Sequence, residues 1–174
     1  MRASLPLAIG ALAALALQLV LAPALSILGA MPDFVLVFVG VAAMLRPSDS
    51  VVTVGFGAGM VYDLVTGGTP GVMAALLAAA AFLASRASER LGNDTLSVAL
   101  LITMMSSLLV EACYALFYVA TADVSVVDAL TMRALPCALY DCAVCLIALP
   151  LLGAFLSRTG PSHKAPDSST IRLR

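Results

Sequence analysis

Apolar residues in this chain gather into long runs that short polar stretches interrupt. A run of roughly 20 apolar residues is long enough to cross a bilayer as a helix, because each helical residue adds about 1.5 Å. The pattern therefore predicts an all-α integral membrane protein with six transmembrane helices. In chain order, the predicted helices cover residues 5–21 with apolar sequence on to 28, then 32–46, 51–65, 71–84, 95–120 and 131–156.

The stretches between the predicted helices are rich in residues that favour turns. They are a tight polar turn at 46–50, a turn with Gly67, Gly68, Pro70 and Gly71, a hydrophilic hinge at 85–94 and a polar loop at 121–128. The sixth predicted helix has Pro136 and Pro150 inside it. Helices 2, 3 and 4 offer only about 13–15 apolar residues each, against roughly 20 for a full span. Either polar turns dip into the membrane beside other helices, or part of this region is a re-entrant hairpin.

The first apolar segment has two interpretations. Residues 22–24, Ala-Pro-Ala, resemble a signal-peptide cleavage site. The apolar run is longer than the usual signal-peptide core of roughly 7–15 residues. On this length argument we expect the segment to be retained as the first transmembrane helix.

Charge supports the membrane assignment and predicts the topology. Charged residues make up 11% of the chain, whereas soluble domains have about 25%. With the N-terminus in the cytoplasm, six spans place all basic residues but Arg133 on the cytoplasmic side. These residues are Arg2, Arg46, Arg86, Arg90, Arg158, Lys164, Arg172 and Arg174. We therefore expect both termini in the cytoplasm, a single transmembrane domain at 1–157, and a flexible tail at 158–174 attracted to an anionic inner leaflet.

Three carboxylates fall within the predicted spans, where an ionisable group is costly. Asp63, Glu111 and Asp141 would all lie in the outer half of the membrane, where they could line one polar pocket. Each also has a structural interpretation. Asp63 could accept backbone N–H groups of the turn that follows it, and Glu111 could bond to Ser107 on the same helix face. Arg133 could pair with Glu111 or Asp141 and pin helices 5 and 6 together.

Helix 3 carries three closely spaced glycines, Gly55, Gly57 and Gly59. Gly55 and Gly59 form a small-xxx-small face that allows another helix to approach closely. Such a face suits a homodimer or partner interface, but packing inside the bundle is the commoner use and the one that we favour.

No group of residues indicates catalysis. The single histidine, His163, lies in the tail, and there is no nucleophile–base pair, metal motif or phosphate-binding glycine loop. The four cysteines lie in apolar segments without zinc-like spacing, which is typical of small buried side chains. The net charge of -1 gives no indication of nucleic-acid binding. We expect no enzyme activity, no cofactor and no bound metal.

Residues 32–86 resemble the bacterial rod-shape-determining MreD family. The residues that carry the resemblance are Pro32-Asp33-Phe34, Arg46-Pro47, the glycines from Gly55 to Gly59, Asp63-Leu64 and the turn Gly68-Thr69-Pro70-Gly71. Glu111 falls where the family tends to have an acidic residue. Asp141 departs from the pattern, because the family suggests an amide or small polar residue there.

The resemblance implies a non-enzymatic scaffold of the cell-wall elongation complex in the bacterial inner membrane. Its expected partner is MreC, and through MreC it would be linked to MreB and to RodA with its transpeptidase. The implied helical arrangement is similar to that of the substrate-binding components of energy-coupling-factor transporters. The alternative is a substrate-binding component of a small-molecule transporter, for which Ala75 and Ala79 could form the face that meets an energising subunit.

Overall fold

A computed structural model describes residues 4–27, 30–91, 96–121 and 134–159. Within these ranges the chain forms six α-helices, with a short 3₁₀ turn at Pro23–Leu25 between the first two. The helices are α1 Ser4–Val20, α2 Phe34–Leu45, α3 Asp49–Thr66, α4 Val72–Leu91, α5 Leu96–Thr121 and α6 Leu135–Thr159. The described part of the chain contains no β-strand, so the predicted all-α fold is confirmed.

Helix α2 lies at the centre of the bundle. Its residues from Val35 to Met44 are all buried, and it contacts each of the other five helices. The sequence of α2 explains this position, since it is apolar on every side and presents no polar face to solvent. The other helices surround α2 and shield it.

The two ends of the bundle differ in charge. One end, which we call the carboxylate end, holds Asp33, Asp63 and Glu111, together with the starts of α2, α4 and α6. The opposite end, which we call the arginine end, holds Arg46, Arg86 and Arg90 after α2 and in the last turns of α4. Successive helices therefore run in alternating directions. The positive-inside rule predicts that the arginine end faces the cytoplasm.

The helices differ in their fit to a bilayer. In length and composition, α4, α5 and α6 are sufficient to cross a membrane, whereas α1 and α2 are shorter apolar helices. Large apolar side chains point outward from several of these helices, as a surface in contact with lipid requires. Examples are Leu5, Leu12, Val20, Met105, Leu139, Ile147 and Leu151.

The predicted hydrophilic hinge is wrong over residues 85–91, because α4 continues without a break to Leu91. The polar residues there are arranged on two faces of the helix. Ser85 and Ser88 are buried, while Arg86 and Glu89 are exposed and form an ion pair of 3.3 Å between Nη1 and Oε2. The helix thus accommodates polar residues that were predicted to break it, and α4 has the length of a full span.

Other predicted features are only partly described. The polar turn after α2 and the glycine turn between α3 and α4 lie where expected. Gly67 and Gly71 in the second turn have φ angles of 69° and 96°, which glycine adopts at low cost.

In α6, Pro136 lies in the first turn, where proline is tolerated, and Pro150 is inside the helix. The predicted loop at 121–128, apart from Thr121 at the end of α5, lies outside the described residues, as does the tail from residue 160.

Two of the three glycines of α3, Gly55 and Gly59, face α4 within the same chain. A Cβ built on Gly59 would lie 2.5 Å from Ala74 Cα, and one on Gly55 would lie 3.3 Å from the Leu77 carbonyl oxygen. A Cβ on Gly57 would meet nothing within 4 Å. The close-approach face formed by Gly55 and Gly59 is therefore occupied by α4.

We expect Gly59→Ala to destabilise the protein, because α3 and α4 must separate to admit the added methyl group. The expected loss in free energy of unfolding is about 1–3 kcal/mol, as is typical of overpacking. The measurement is the thermal midpoint of the purified protein in detergent, followed by size-exclusion chromatography. Gly57→Ala is the matched control and should be neutral or slightly stabilising. Equal behaviour of the two variants would show that the α3–α4 contact is not tight at Gly59.

Candidate functional site

The start of α2 is held by its own N-cap residue and by side chains from two other helices. The first backbone N–H groups of a helix have no partner within it. Here the Asp33 N–H donates to Asp141 Oδ1 of α6 at 2.7 Å, and the Phe34 N–H donates to Gln18 Oε1 of α1 at 2.7 Å. The Asp33 side chain accepts from the Leu36 N–H at 2.9 Å. Asp33 is thus the N-cap of α2, and two neighbouring helices complete the cap.

Gln18 acts as a two-sided clamp on the same segment. Its Nε2 donates to the Pro32 carbonyl oxygen at 3.3 Å, while its Oε1 accepts from Phe34. Because α2 is buried, an uncapped N–H group would cost about 1–3 kcal/mol. The clamp also links α1 to the central helix, so α1 is an integral part of the bundle.

Asp63 likewise caps the start of α4. Its buried carboxylate accepts from the backbone N–H groups of Gly71 at 2.9 Å, Met73 at 3.1 Å and Ala74 at 3.4 Å. A carboxylate at a helix N-terminus also interacts favourably with the helix dipole. Of the two interpretations that the sequence left open for Asp63, the geometry describes a cap for the following helix.

A polar cavity of about 60 Å³ lies between the starts of α2 and α4. Its polar lining comes from α1, α3, α5 and the residue preceding α2: Gln18, Asp33, Tyr62, Glu111 and Tyr114. The volume suits a few water molecules or one small polar group. It is far below the roughly 300–1,000 Å³ of a typical small-molecule site.

The three carboxylates that the sequence singled out, Asp63, Glu111 and Asp141, do not all lie at one site. Glu111 lines the polar cavity. Asp141 lies close enough to Asp33 and Glu111 to interact electrostatically with both, and the Ser107 hydroxyl lies beside it. Asp63 belongs to the α4 cap instead. Arg133, the expected ion-pair partner, lies outside the described residues, so its pairing stays a prediction.

The described residues form no group of three histidine, cysteine or acidic side chains able to hold a metal ion. The four cysteines are free thiols. Cys145 is buried and lies 3.2 Å from the Thr103 hydroxyl, at the contact between α5 and α6.

Two cap residues were not assigned a role from the sequence. Gln18 is the sole glutamine of the chain and sits within an apolar helix. A polar side chain there is costly without a partner, and this signal could have identified it. Asp33 stands between a proline and an apolar run, which is an N-cap position. The sequence placed Asp33 at the start of a helix but gave no indication that Asp141 would contact it.

Comparison with known proteins decides the family. The family model described as rod shape-determining protein MreD matches residues 1–159. The chain belongs to the MreD family. It matches no curated protein and no solved structure, so the expected similarity to transporter substrate-binding components stays a prediction. Members of the family are structural membrane proteins of rod-shape determination.

Asp141 is the position at which this chain departs from the residue type that we expected for the MreD family. We expected an amide or small polar residue at this position, and the chain has a carboxylate. The observed contact with Asp33 requires only a hydrogen-bond acceptor. A side-chain amide oxygen can supply the same acceptor, so the departure in charge is compatible with a shared role in capping α2.

We expect Asp141→Asn to retain most of the stability and Asp141→Ala to lose about 1–3 kcal/mol, because only alanine leaves the buried Asp33 N–H without an acceptor. Thermal unfolding in detergent at neutral pH measures both variants. An Asn variant as unstable as the Ala variant would mean that the negative charge, rather than the acceptor, is required. Wild-type stability in both would show that this hydrogen bond contributes little.

Proposed function

We propose that this protein is a non-enzymatic membrane scaffold of the cell-wall elongation complex and that it binds MreC. The observation that carries the proposal is the family match over residues 1–159. The MreD family is part of the MreBCD shape complex. Through MreC, the scaffold would connect to MreB filaments and to RodA with its transpeptidase, in the bacterial inner membrane.

A lateral groove offers a surface for a partner helix. It has a volume of about 310 Å³ and lies between α1 and α6, with α2 as its floor. The α1 wall carries Gly10, Ala13 and Ala14, and Ala148 lies on the α6 wall. Small residues let helix backbones approach closely in a membrane, where association depends on packing. This groove therefore suits the transmembrane helix of a single-span partner.

The groove extends toward the polar cavity at the carboxylate end. Leu17 and Phe34 line the groove, and their chain neighbours Gln18 and Asp33 line the cavity. A partner helix in the groove would bring its flanking polar residues close to this cavity. Glu111 would then offer a carboxylate to a donor or cationic group of the partner.

The transporter alternative has less support. A substrate-binding component needs an enclosed site for its ligand, and the polar cavity of about 60 Å³ is too small for a typical one. Ala75 and Ala79 are exposed on α4, as a face for an energising subunit would be. Exposed alanines are also ordinary on a helix in contact with lipid.

We expect Ala13→Trp to reduce co-purification of MreC by at least about tenfold, since an indole would fill the groove that the partner helix needs. The tagged full-length chain is isolated from its native membranes in mild detergent, and MreC is quantified by mass spectrometry. Ala79→Trp on the opposite α4 face is the control and should retain MreC. Loss of MreC in the control alone would exclude the groove. Recovery of an ATPase and a coupling subunit in place of MreC would support the transporter.

We expect Glu111→Gln to weaken MreC recovery, because glutamine keeps the shape but removes the charge offered to the partner; the thermal midpoint is measured alongside to show that the variant is folded. The same variant should yield shortened or rounded cells. Asp63 is unsuitable for this test, since its loss would uncap α4. Normal MreC recovery and normal cell shape would contradict a role for Glu111 in partner binding.

A further inference from the structure

A second groove opens on the other side of the bundle, between α4 and α5. It has a volume of about 280 Å³ and lies toward the arginine end. Its lining is apolar apart from one hydroxyl, and includes Leu83, Ala87, Leu91, Leu101, Met105 and Ser106. From Leu83 to Leu91 the α4 wall spans eight residues, or about 12 Å at the helical rise per residue.

The rim of this groove is formed by long apolar side chains. Leu83, Leu91, Leu101 and Met105 are all exposed at its edge. A flexible hydrocarbon chain can follow such a rim, because it needs no flat or close-packed surface. The shape therefore suits a lipid acyl chain.

A cationic group stands at the end of the groove. Arg90 lies in the last turn of α4, between the groove residues Ala87 and Leu91, and is exposed. Among the described residues it forms no ion pair, because the one ion pair found there joins Arg86 to Glu89. The Arg86 guanidinium also lies 5.2 Å from the centre of the Phe82 ring. Arg90 is thus placed to receive an anion.

We propose that the groove between α4 and α5 binds an anionic phospholipid, with one acyl chain between the helices and its phosphate on Arg90. A guanidinium binds phosphate oxygens with paired hydrogen bonds. The arginine end is the predicted cytoplasmic end, and the cytoplasmic leaflet carries anionic lipid. This site is on a different face from the proposed MreC groove and does not depend on it.

The test uses the full-length chain, delipidated in mild detergent and analysed by native mass spectrometry. Phosphatidylglycerol and phosphatidylcholine with identical acyl chains are added separately. We expect wild type to retain phosphatidylglycerol about fivefold better, the factor that one arginine near a charged lipid supplies. Arg90→Gln should abolish this preference. Arg46→Gln removes an equal charge at the same end, away from the groove, and should preserve it.

A second pair of variants tests the acyl-chain site. Ala87→Leu narrows the groove and should reduce retention of both lipids, whereas Ala13→Leu in the groove between α1 and α6 should not. Thermal midpoints near wild type confirm that the variants are folded. Equal retention of the two lipids by wild type, or an equal effect of Arg46→Gln and Arg90→Gln, would overturn the proposal. A dimer that Ala87→Leu dissociates would assign the groove to a second copy and overturn it as well.

Discussion

A helix that is buried on every side leaves the polar groups at both of its ends without water. Helix α2 is such a helix, and the protein satisfies its ends with side chains from elsewhere in the chain. At the start, Gln18, Asp33 and Asp141 accept its free N–H groups. At the other end, the Ser88 hydroxyl donates to the Met44 carbonyl oxygen at 3.2 Å. The positions of α1, α4 and α6 around α2 are thereby fixed by hydrogen bonds as well as by packing.

This constraint separates structural polar residues from those available for function. Asp63 and Asp141 occupy buried positions that would suggest a binding site in a membrane protein, yet both accept backbone N–H groups at helix starts. Glu111 differs, since it lines a cavity that neighbours a lateral groove. Fewer of the intramembrane carboxylates are therefore available to partners than their number in the sequence indicates. The two grooves are formed almost entirely by apolar side chains.

Local signals in the sequence predicted the helices, the glycine turn and the location of Arg46, Arg86 and Arg90 at one end of the bundle. Gly67 and Gly71 indicate a turn, because few other residues adopt positive φ angles. The end of α4 could not be predicted in the same way, because the buried Ser88 hydroxyl finds its acceptor, the Met44 carbonyl oxygen, on another helix. The contact of Asp33 with Asp141 spans 108 residues, and no local pattern specifies such a partner. Family resemblance indicated the role, but the site depended on the three-dimensional arrangement.

The hydrogen bond between α2 and α6 also has a consequence for biogenesis. During synthesis, α2 emerges from the ribosome long before α6. The Asp33 N–H therefore has no acceptor until Asp141 of α6 has been synthesised. An insertion intermediate with five helices has a central helix whose cap is incomplete, and quality-control proteases act on such incompletely packed species. The cap of α2 is therefore complete only in chains that have been translated through α6.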